Sequence, residues 1–173
     1  MNHTFFFFLF SISLTAQPVE VSLWTDEFPQ PDKVEDKADA KIFIHHPANP
    51  NGSAAIICPG GGYRGQVMGA EGHGIAQWLN GHGITGVVLQ YRLPKGRSFV
   101  PLEDAQRAIR LVRHRAKEWK IDANKVGIIG FSAAGTWPPP PPPISPNLVN
   151  QTPKTLSSGF PAALILRFSY TPW

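Results

Sequence analysis

Apolar residues follow two different patterns along residues 17–135, one typical of strands and one typical of helices, and together the patterns predict an α/β fold. Short, mainly apolar runs are typical of strands buried on both faces. They occur at Val21–Trp24, Lys41–His46, Ser53–Cys58, Ile84–Tyr91 and Lys125–Phe131. Apolar residues at helical spacing predict one helix over Gly74–Asn80 and a second that begins at Pro101. Strands that alternate with helices predict a mostly parallel sheet with helices on both faces.

The second predicted helix has the most regular amphipathic pattern. Its apolar stripe comprises Leu102, Ala105, Ile109, Val112, Ala116 and Trp119. The other faces are expected to carry Arg107, Arg110, His114 and Lys117. Trp78 and Trp119 both fall on apolar helix faces, so we expect both side chains to pack in the core.

The first residues of the chain have a different pattern. An apolar run, Phe5–Phe10, continues to Ala16 and matches the apolar region of a secretory signal peptide, which we predict over residues 1–16. It is shorter than the ~20 residues needed to span a bilayer, so no stable membrane insertion is expected. The protein is therefore predicted to be secreted or periplasmic. A retained hydrophobic anchor is the alternative.

Residues 136–173 form a proline-rich tail that lacks the α/β pattern of the preceding residues. The tail has no Asp, Glu or His, and it begins with Trp137 and six consecutive prolines, Pro138–Pro143. Proline lacks the N–H that a helix requires, so we predict an irregular tail in which Ala162–Phe168 is the candidate strand. The outer edge of the Lys125–Phe131 strand is expected to be unpaired.

Composition narrows the classes of function. At 173 residues and 42% hydrophobic content the chain can bury one core, which predicts a single domain, and the α/β pattern places that domain over residues 17–135. A net charge of +4 without a basic run predicts no nucleic-acid partner. The single cysteine, Cys58, excludes an internal disulfide and a cysteine-based zinc site. No cofactor and no metal are predicted, and the oligomeric state cannot be read from the sequence.

A candidate nucleophile follows the last predicted strand of the α/β region. The sequence Gly130-Phe131-Ser132-Ala133-Ala134 approximates G-x-S-x-G, in which a sharp strand-to-helix turn exposes the serine hydroxyl. Alanine stands where the last glycine belongs, and Gly135 follows one place later. An ordinary serine in a strand–turn–helix connection is the competing interpretation.

A glycine-rich loop, CPGGGYRG from Cys58 to Gly65, directly follows a predicted buried strand. Glycines in such a loop allow backbone N–H groups to approach a developing oxyanion. A phosphate-binding loop is the alternative, but neither G-x-x-x-x-G-K-[ST] nor G-x-G-x-x-G spacing is present.

These motifs, with EGHGIAQWLNGHGITGVVLQYRLP, PLEDAQRAIRLVRHRAKEW and KIDANKVGIIGFSAAG in the same order, resemble a family of bacterial secreted α/β-hydrolases. The family includes esterases and lipases similar to acetyl xylan and feruloyl esterases. The resemblance covers Lys41 to Gly135 and implies the N-terminal half of an α/β-hydrolase fold. It also implies a small ester or an acylated polysaccharide as substrate.

The same resemblance implies roles for individual residues. Ser132 would be the nucleophile, and backbone N–H groups of Gly61, Gly62 and Ala133 would form the oxyanion hole. Loop-holding and helix-holding positions of the family match Glu71, Tyr91, Arg92 and Asp104.

The acid and base of a serine triad are missing from the expected place. In this fold they follow the serine along the chain, yet residues 133–173 contain no Asp, Glu or His. His114 is interpreted as a solvated helix residue. No partner pattern surrounds the remaining candidates, His45, His46, His73 and His82, although His73 is expected near the glycine loop. We therefore predict that this chain, as written, is catalytically inactive.

A shifted reading frame after about Gly135 would explain the aberrant tail. In the shifted frame, each codon consists of the third base of one printed codon and the first two bases of the next. Read in this way, the codons from Gly135 to Ser145 permit the sequence HLAATAATHF. From Thr155 onward the same rule permits PIERVSSRPDFAVLIYPV. Both strings are typical of the family helix and strand that follow the nucleophile. A genuine proline-rich linker with a binding role is the alternative.

Two non-catalytic functions are also compatible with the sequence. A secreted carbohydrate-binding or adaptor module would use exposed aromatic residues, with candidates Tyr63, Trp78, Trp119 and Trp137. A membrane-anchored interaction protein would retain the N-terminal apolar run and present the prolines to a partner.

Overall fold

The central strands of the sheet are apolar on both faces because helical segments cover both faces. A computed structural model gives the fold and describes residues 17–25, 35–136 and 163–167. Within these residues the strands are β1 (Val19–Ser22), β2 (Lys41–His45), β3 (Ala54–Cys58), β4 (Thr85–Gln90), β5 (Val126–Phe131) and β6 (Ala163–Arg167). The α-helices there are α1 (Ile75–Asn80) and α2 (Val100–His114). Shorter 3₁₀ turns span Lys37–Asp39 and Ser132–Thr136, and a π-helical segment spans Met68–Gly74.

The strands form one mixed sheet in the order β1-β2-β4-β3-β5-β6. The central strands β4, β3 and β5 are parallel, and Ile56 of β3 lies opposite Val87 on one side and Ile128 on the other. The flanking strands pair antiparallel. The α/β prediction is therefore confirmed, and the parallel pairing is confined to the centre of the sheet.

Successive residues of β3 face opposite cores. Ile56 belongs to the core that includes Leu111 of α2, whereas Ile57 belongs to the core that includes Leu79 of α1. This two-sided burial explains why the central strands have continuous apolar sequences rather than an alternating pattern.

The prediction of an unpaired outer edge on β5 is wrong. β6 pairs with β5 in antiparallel register, from Gly127 opposite Arg167 to Phe131 opposite Ala163. The tail thus contributes one strand, at the place where Ala162–Phe168 was the candidate. An edge strand exposes a row of backbone donors and acceptors, and β6 satisfies those of β5. The predicted signal peptide over residues 1–16 and the prolines Pro138–Pro143 lie outside the described residues.

Two side chains contradict their predicted environments. Trp78 is 51% exposed, because the buried residues of the short helix α1 are Ala76 and Leu79 on a different face. Arg107, expected on a polar face of α2, is buried and donates to the carbonyl oxygens of Leu23 and Thr25. Trp119 is buried as predicted, although α2 itself ends at His114.

Candidate active site

Ser132 lies in a sharp turn directly after the carboxyl end of β5. Its φ angle is 49°, a left-handed conformation that costs free energy for a residue with a β-carbon. A 3₁₀ turn begins at the same residue, and the serine side chain is exposed. This is the strand–turn–helix geometry that the G-x-S-x-G motif predicts.

Gly130 makes the tight turn possible even though Ala134 replaces the last glycine of the motif. A β-carbon at Gly130 would lie 2.7 Å from the carbonyl oxygen of Ala134 and 3.0 Å from the backbone nitrogen of Gly135. The two ends of the turn therefore touch through backbone atoms. Ala134 itself is buried, so its methyl group fits in the core rather than against the turn.

The glycine loop after β3 packs directly against Ser132. A β-carbon at Gly60 would lie 2.9 Å from the β-carbon of Ser132 and 2.9 Å from the carbonyl oxygen of Phe131. Gly61 has a φ angle of 147°, and a β-carbon there would lie 2.3 Å from the carbonyl oxygen of Gly65. The turn and the loop can meet this closely because these positions lack side chains.

Tyr63 joins the loop to the turn with a hydrogen bond. Its hydroxyl donates to the carbonyl oxygen of Ala133 at 2.7 Å. The structure thus brings Ser132 and Ala133 beside the loop that contains Gly61 and Gly62. Among the described residues, no hydrogen-bond acceptor engages the backbone N–H of Gly61 or Gly62. These amides are available to a ligand in that part of the structure.

Three polar side chains hold the glycine loop in place through hydrogen bonds. Glu71 accepts a hydrogen bond from the backbone N–H of Gly60 at 2.8 Å. The hydroxyl of Tyr91 donates to the carbonyl oxygen of Pro59 at 2.8 Å, and Gln66 donates to the carbonyl oxygen of Tyr91 at 2.5 Å. Glu71 and Tyr91 therefore make the loop-holding contacts that the family resemblance implied.

Arg92 and Asp104 tie the end of β4 to the N-terminal part of α2. Asp104 is fully buried, and its carboxylate accepts hydrogen bonds from the backbone N–H and the guanidinium of Arg92. The indole N–H of Trp24 donates to the same carboxylate at 2.7 Å. The guanidinium carbons of Arg92 and Arg107 lie 4.9 and 5.2 Å from the centre of the Trp24 ring. These contacts fix the segment around Trp24 onto α2 through cation–π attraction and charge pairing.

Burial controls the ionisation of two groups beneath the site. It raises the pKa of the Cys58 thiol and the pKa of the Tyr91 hydroxyl, because the charged forms would lose their hydration. The thiol is therefore protonated near neutral pH and unsuited to nucleophilic attack.

No histidine or carboxylate of the described residues hydrogen-bonds to Ser132. His45 and His73 contact each other, with 2.9 Å between Nε2 of His45 and Nδ1 of His73. His82 contacts the backbone of Trp78, and His114 is exposed as predicted. The described residues thus bring the candidate nucleophile and the candidate oxyanion donors together without a base.

Two further observations concern ligands and membranes. Across residues 17–25, 35–136 and 163–167, no group of three or more His, Cys, Asp or Glu side chains is arranged to hold a metal ion. No helix in that same part of the chain combines the length and apolar character required to cross a bilayer.

Sequence analysis did not identify the positions of Gly60 and Gln66 in the site. The signal available for Gly60 was its place as the first glycine after a buried strand, where the backbone must turn toward the next strand end. Gln66 gave no comparable signal, because its partner is a backbone carbonyl 25 residues away.

Comparison with known proteins finds a family match over nearly the same residues as the sequence resemblance. The profile of the BD-FAE family matches residues 40–137, more than half of the chain. An acetylxylan esterase of Xylanibacter ruminicola is 42% identical over 102 residues, which cover 59% of this chain and 21% of that protein. An endo-1,4-beta-xylanase B of Butyrivibrio fibrisolvens is 37% identical over 82 residues, or 45% of this chain and 13% of that protein.

Solved structures resemble the fold over a larger share of the chain. An acetyl ester-xyloside bifunctional hydrolase of Caldicellulosiruptor lactoaceticus has a TM-score of 0.59 at 33% identity, covering 72% of this chain and 46% of its own. An esterase of Thermogutta terrifontis has a TM-score of 0.56 at 25% identity, covering 70% and 42%. The chain thus spans about a fifth or less of these curated relatives and under half of these solved structures. Its family match includes both the glycine loop and Ser132, and the chain therefore belongs to the BD-FAE family and has the α/β-hydrolase fold.

Proposed function

We propose that this protein derives from a serine esterase in which Ser132 is the nucleophile. The hydroxyl oxygen attacks the ester carbonyl, the alcohol departs, and water then hydrolyses the acyl-serine. The observation that carries the proposal is the exposed Ser132 at φ 49°, packed against Gly60 of the glycine loop. Serine hydrolases use an exposed serine in a sharp turn next to backbone N–H donors, and here the N–H groups of Gly61 and Gly62 have no acceptor among the described residues.

The oxyanion hole is formed by backbone N–H groups of Gly61, Gly62 and Ala133. The hydrogen bond from Tyr63 to Ala133 supports this assignment, since it holds the loop donors and the turn donor in one cluster. Such donors act on charge that develops in the transition state, and removing one costs about 10²–10³ in rate in serine hydrolases.

The substrate class is a carboxylic ester, with acetyl or feruloyl groups on plant polysaccharide as the favoured acyl donors. The names of the two curated relatives, an acetylxylan esterase and a xylanase, support a polysaccharide substrate. Such polymers are met outside the cytoplasm, in agreement with a signal peptide over residues 1–16 and a secreted or periplasmic location.

The 173-residue chain is itself inactive under this proposal. Residues 133–173 supply no acid and no histidine, and loss of the triad base removes most of the catalytic power of a serine hydrolase. The family match ends at residue 137, next to the proposed frame change at about Gly135. Sequencing the gene across the proline codons tests this part: an uninterrupted frame without a missing base contradicts it.

Turnover of p-nitrophenyl acetate by two proteins tests the function. One is the chain as written, and the other is encoded after insertion of one base into the Gly135 codon. We expect turnover only from the second protein, and its loss in a Ser132→Ala variant. Turnover by the chain as written that depends on Ser132 would contradict the proposed inactivity. A folded frame-restored protein without esterase activity would contradict the esterase.

Carbohydrate binding without catalysis is the second candidate, and the exposure of Trp78 favours it. The centroids of the Trp78 indole and the His82 ring are 4.6 Å apart, and the two rings form a small aromatic surface at the C-terminal end of α1. Binding of xylo-oligosaccharides that is lost in Trp78→Ala and unchanged in Ser132→Ala would support this function. Binding unaffected by either substitution would exclude Trp78 as its site.

A further inference from the structure

His45 and His73 form a contact that the proposed chemistry does not use. His45 lies at the end of β2, and His73 lies in the π-helical segment Met68–Gly74. Nε2 of His45 and Nδ1 of His73 are 2.9 Å apart, and His45 is only 6% exposed. The edge of the Phe43 ring packs on His73, with ring centroids 5.3 Å apart. The contact is therefore buried on the His45 side and packed against one apolar ring on the His73 side.

The geometry of the pair is that of a hydrogen bond between two imidazoles. The ring centroids are 5.1 Å apart, which is the N···N distance plus about one ring radius on either side. The two nitrogens therefore lie close to the line that joins the rings, so one N–H points at the lone pair of the other. Two rings that bound the same metal ion would instead be bent toward a common point. The gap between these nitrogens has room for a single proton.

Protonation of both imidazoles would remove this hydrogen bond. Each imidazolium carries an N–H on both ring nitrogens, so two N–H groups with positive charge would face each other across 2.9 Å. No lone pair would remain in the gap. Because His45 is buried, little water can screen the repulsion on its side of the contact. The rings would have to separate.

The π-helical segment connects this pair to the glycine loop. Gly72 packs so closely on the sheet that a β-carbon there would lie 2.8 Å from Val88. Glu71, one residue earlier, accepts the hydrogen bond from the backbone N–H of Gly60. His73 follows and reaches His45. His73 is therefore only two residues away from the side chain that holds the loop. Segments of π-helix are strained relative to an α-helix and often occur at functional sites.

The titratable groups around His45 are few. They are His73 across the contact, Glu71 on the same π-helical segment and His46 next along the chain. Helix α1 and strand β4, which pack on this region, have no titratable side chain. Glu20, on the neighbouring strand β1, pairs with Lys41. No carboxylate among these described neighbours is paired with His45 to stabilise its charged form.

We propose that the His45–His73 hydrogen bond is an acid-sensitive latch: when both imidazoles are protonated, the bond opens and the π-helical segment releases the Glu71 hold on Gly60. Burial, then the charge of His73 and of His46, lowers the pKa of His45 below its ordinary value of 6.5. The unfolded or opened state then binds more protons than the closed state. The closed latch is stable above pH 6.5 and loses stability as the pH falls below 6.5 toward the lowered pKa.

Amide hydrogen exchange in the full chain tests the latch. The informative amide is the N–H of Gly60, which donates to Glu71. The reference amide is the N–H of Ala54, at the opposite end of β3, which donates to the carbonyl oxygen of Lys125. The test variant is His73→Asn, whose amide nitrogen or oxygen can occupy the position of Nδ1 without titrating. His45→Gln is the second variant, and His82→Asn is the matched control on an exposed histidine.

As the pH falls from 7 to 5, we expect the exchange rate of the Gly60 amide in the unsubstituted chain to rise relative to the rate of the same amide in His73→Asn at the same pH. The rise is about tenfold for each unit by which the pKa of His45 is lowered. Ala54 should show no such rise, and His82→Asn should behave as the unsubstituted chain. An equal pH response in the unsubstituted chain and in both latch variants would overturn the proposal. A rise at Gly60 and Ala54 together would also overturn it, since that result indicates global unfolding.

Discussion

The hydroxyl of Tyr63 and the carbonyl oxygen of Ala133, 70 residues apart in sequence, are joined by a 2.7 Å hydrogen bond. Tyr63 itself has a φ angle of 60° and follows three glycines, so a strained loop residue reaches the turn that contains Ser132. Backbone strain of this kind persists where surrounding contacts enforce it. The glycine loop and the serine turn thus form one unit rather than two neighbouring features.

The two tyrosines that hold the loop should differ in their contribution to stability. Tyr63→Phe removes an exposed hydrogen bond and is expected to cost about 0.5–1.5 kcal/mol of unfolding free energy. Tyr91→Phe leaves the carbonyl oxygen of Pro59 unsatisfied in a buried site, so it is expected to cost more, about 1–3 kcal/mol. Urea unfolding measures both. A larger loss in Tyr63→Phe than in Tyr91→Phe would contradict this assignment.

Asp104 should be among the side chains most important for stability. Asp104→Asn keeps the shape but removes the negative charge between Arg92 and Trp24, leaving the buried Arg92 with only the exposed Glu103 as a charge partner. The expected loss is about 3–5 kcal/mol of unfolding free energy. The matched control is Glu103→Gln, because Glu103 is 53% exposed and lies 3.4 Å from the same arginine. That control should lose at most about 1 kcal/mol. Equal losses in the two variants would contradict the prediction that the charge of the buried Asp104 carboxylate stabilises the fold.

The approach of α1 to the sheet depends on a glycine. A β-carbon at Gly86 would lie 2.6 Å from the α-carbon of Ala76, and backbone cannot move aside as a side chain can. Gly86→Ala should therefore lower the free energy of unfolding by about 1–3 kcal/mol. Gly69→Ala is the control, since nothing lies within 4 Å of a β-carbon there. Thermal melts that rank these two variants in the opposite order would show that α1 packs differently.

Cys58 offers a direct probe of the core. It is the only cysteine of the chain and is completely buried, and burial raises the pKa of its thiol. Alkylation of the folded chain at pH 8 should be roughly a thousandfold or more slower than alkylation in urea, because only the open state reacts. Labelling of the folded chain at the unfolded rate would indicate that β3 is not buried between two layers.

Much of the fold was predictable because the buried strands are local patterns. Strands β2 to β5 lie within the predicted apolar runs, since burial on both faces leaves an unbroken apolar sequence. The turn at Ser132 was predictable for a similar reason, because glycine and small residues must surround a sharp strand-to-helix connection.

The side chains that sequence analysis misplaced depend on distant parts of the chain. Arg107 is buried because the segment around Trp24, more than 80 residues earlier, supplies carbonyl oxygens and an aromatic ring. The environment of Trp78 was predicted wrongly because α1 has only six residues, too few for a helical pattern to define its buried face. The π-helical segment was missed because i to i+5 hydrogen bonding leaves no characteristic spacing of apolar residues.

Covalent labelling tests whether Ser132 is the nucleophile of an esterase site. A fluorophosphonate is added to the frame-restored protein, and the modified peptide is identified by mass spectrometry. We expect one adduct, on the peptide that contains Ser132, and no adduct in Ser132→Ala or in the 173-residue chain. Labelling of another residue, or a folded frame-restored protein that remains unlabelled at Ser132, would contradict it.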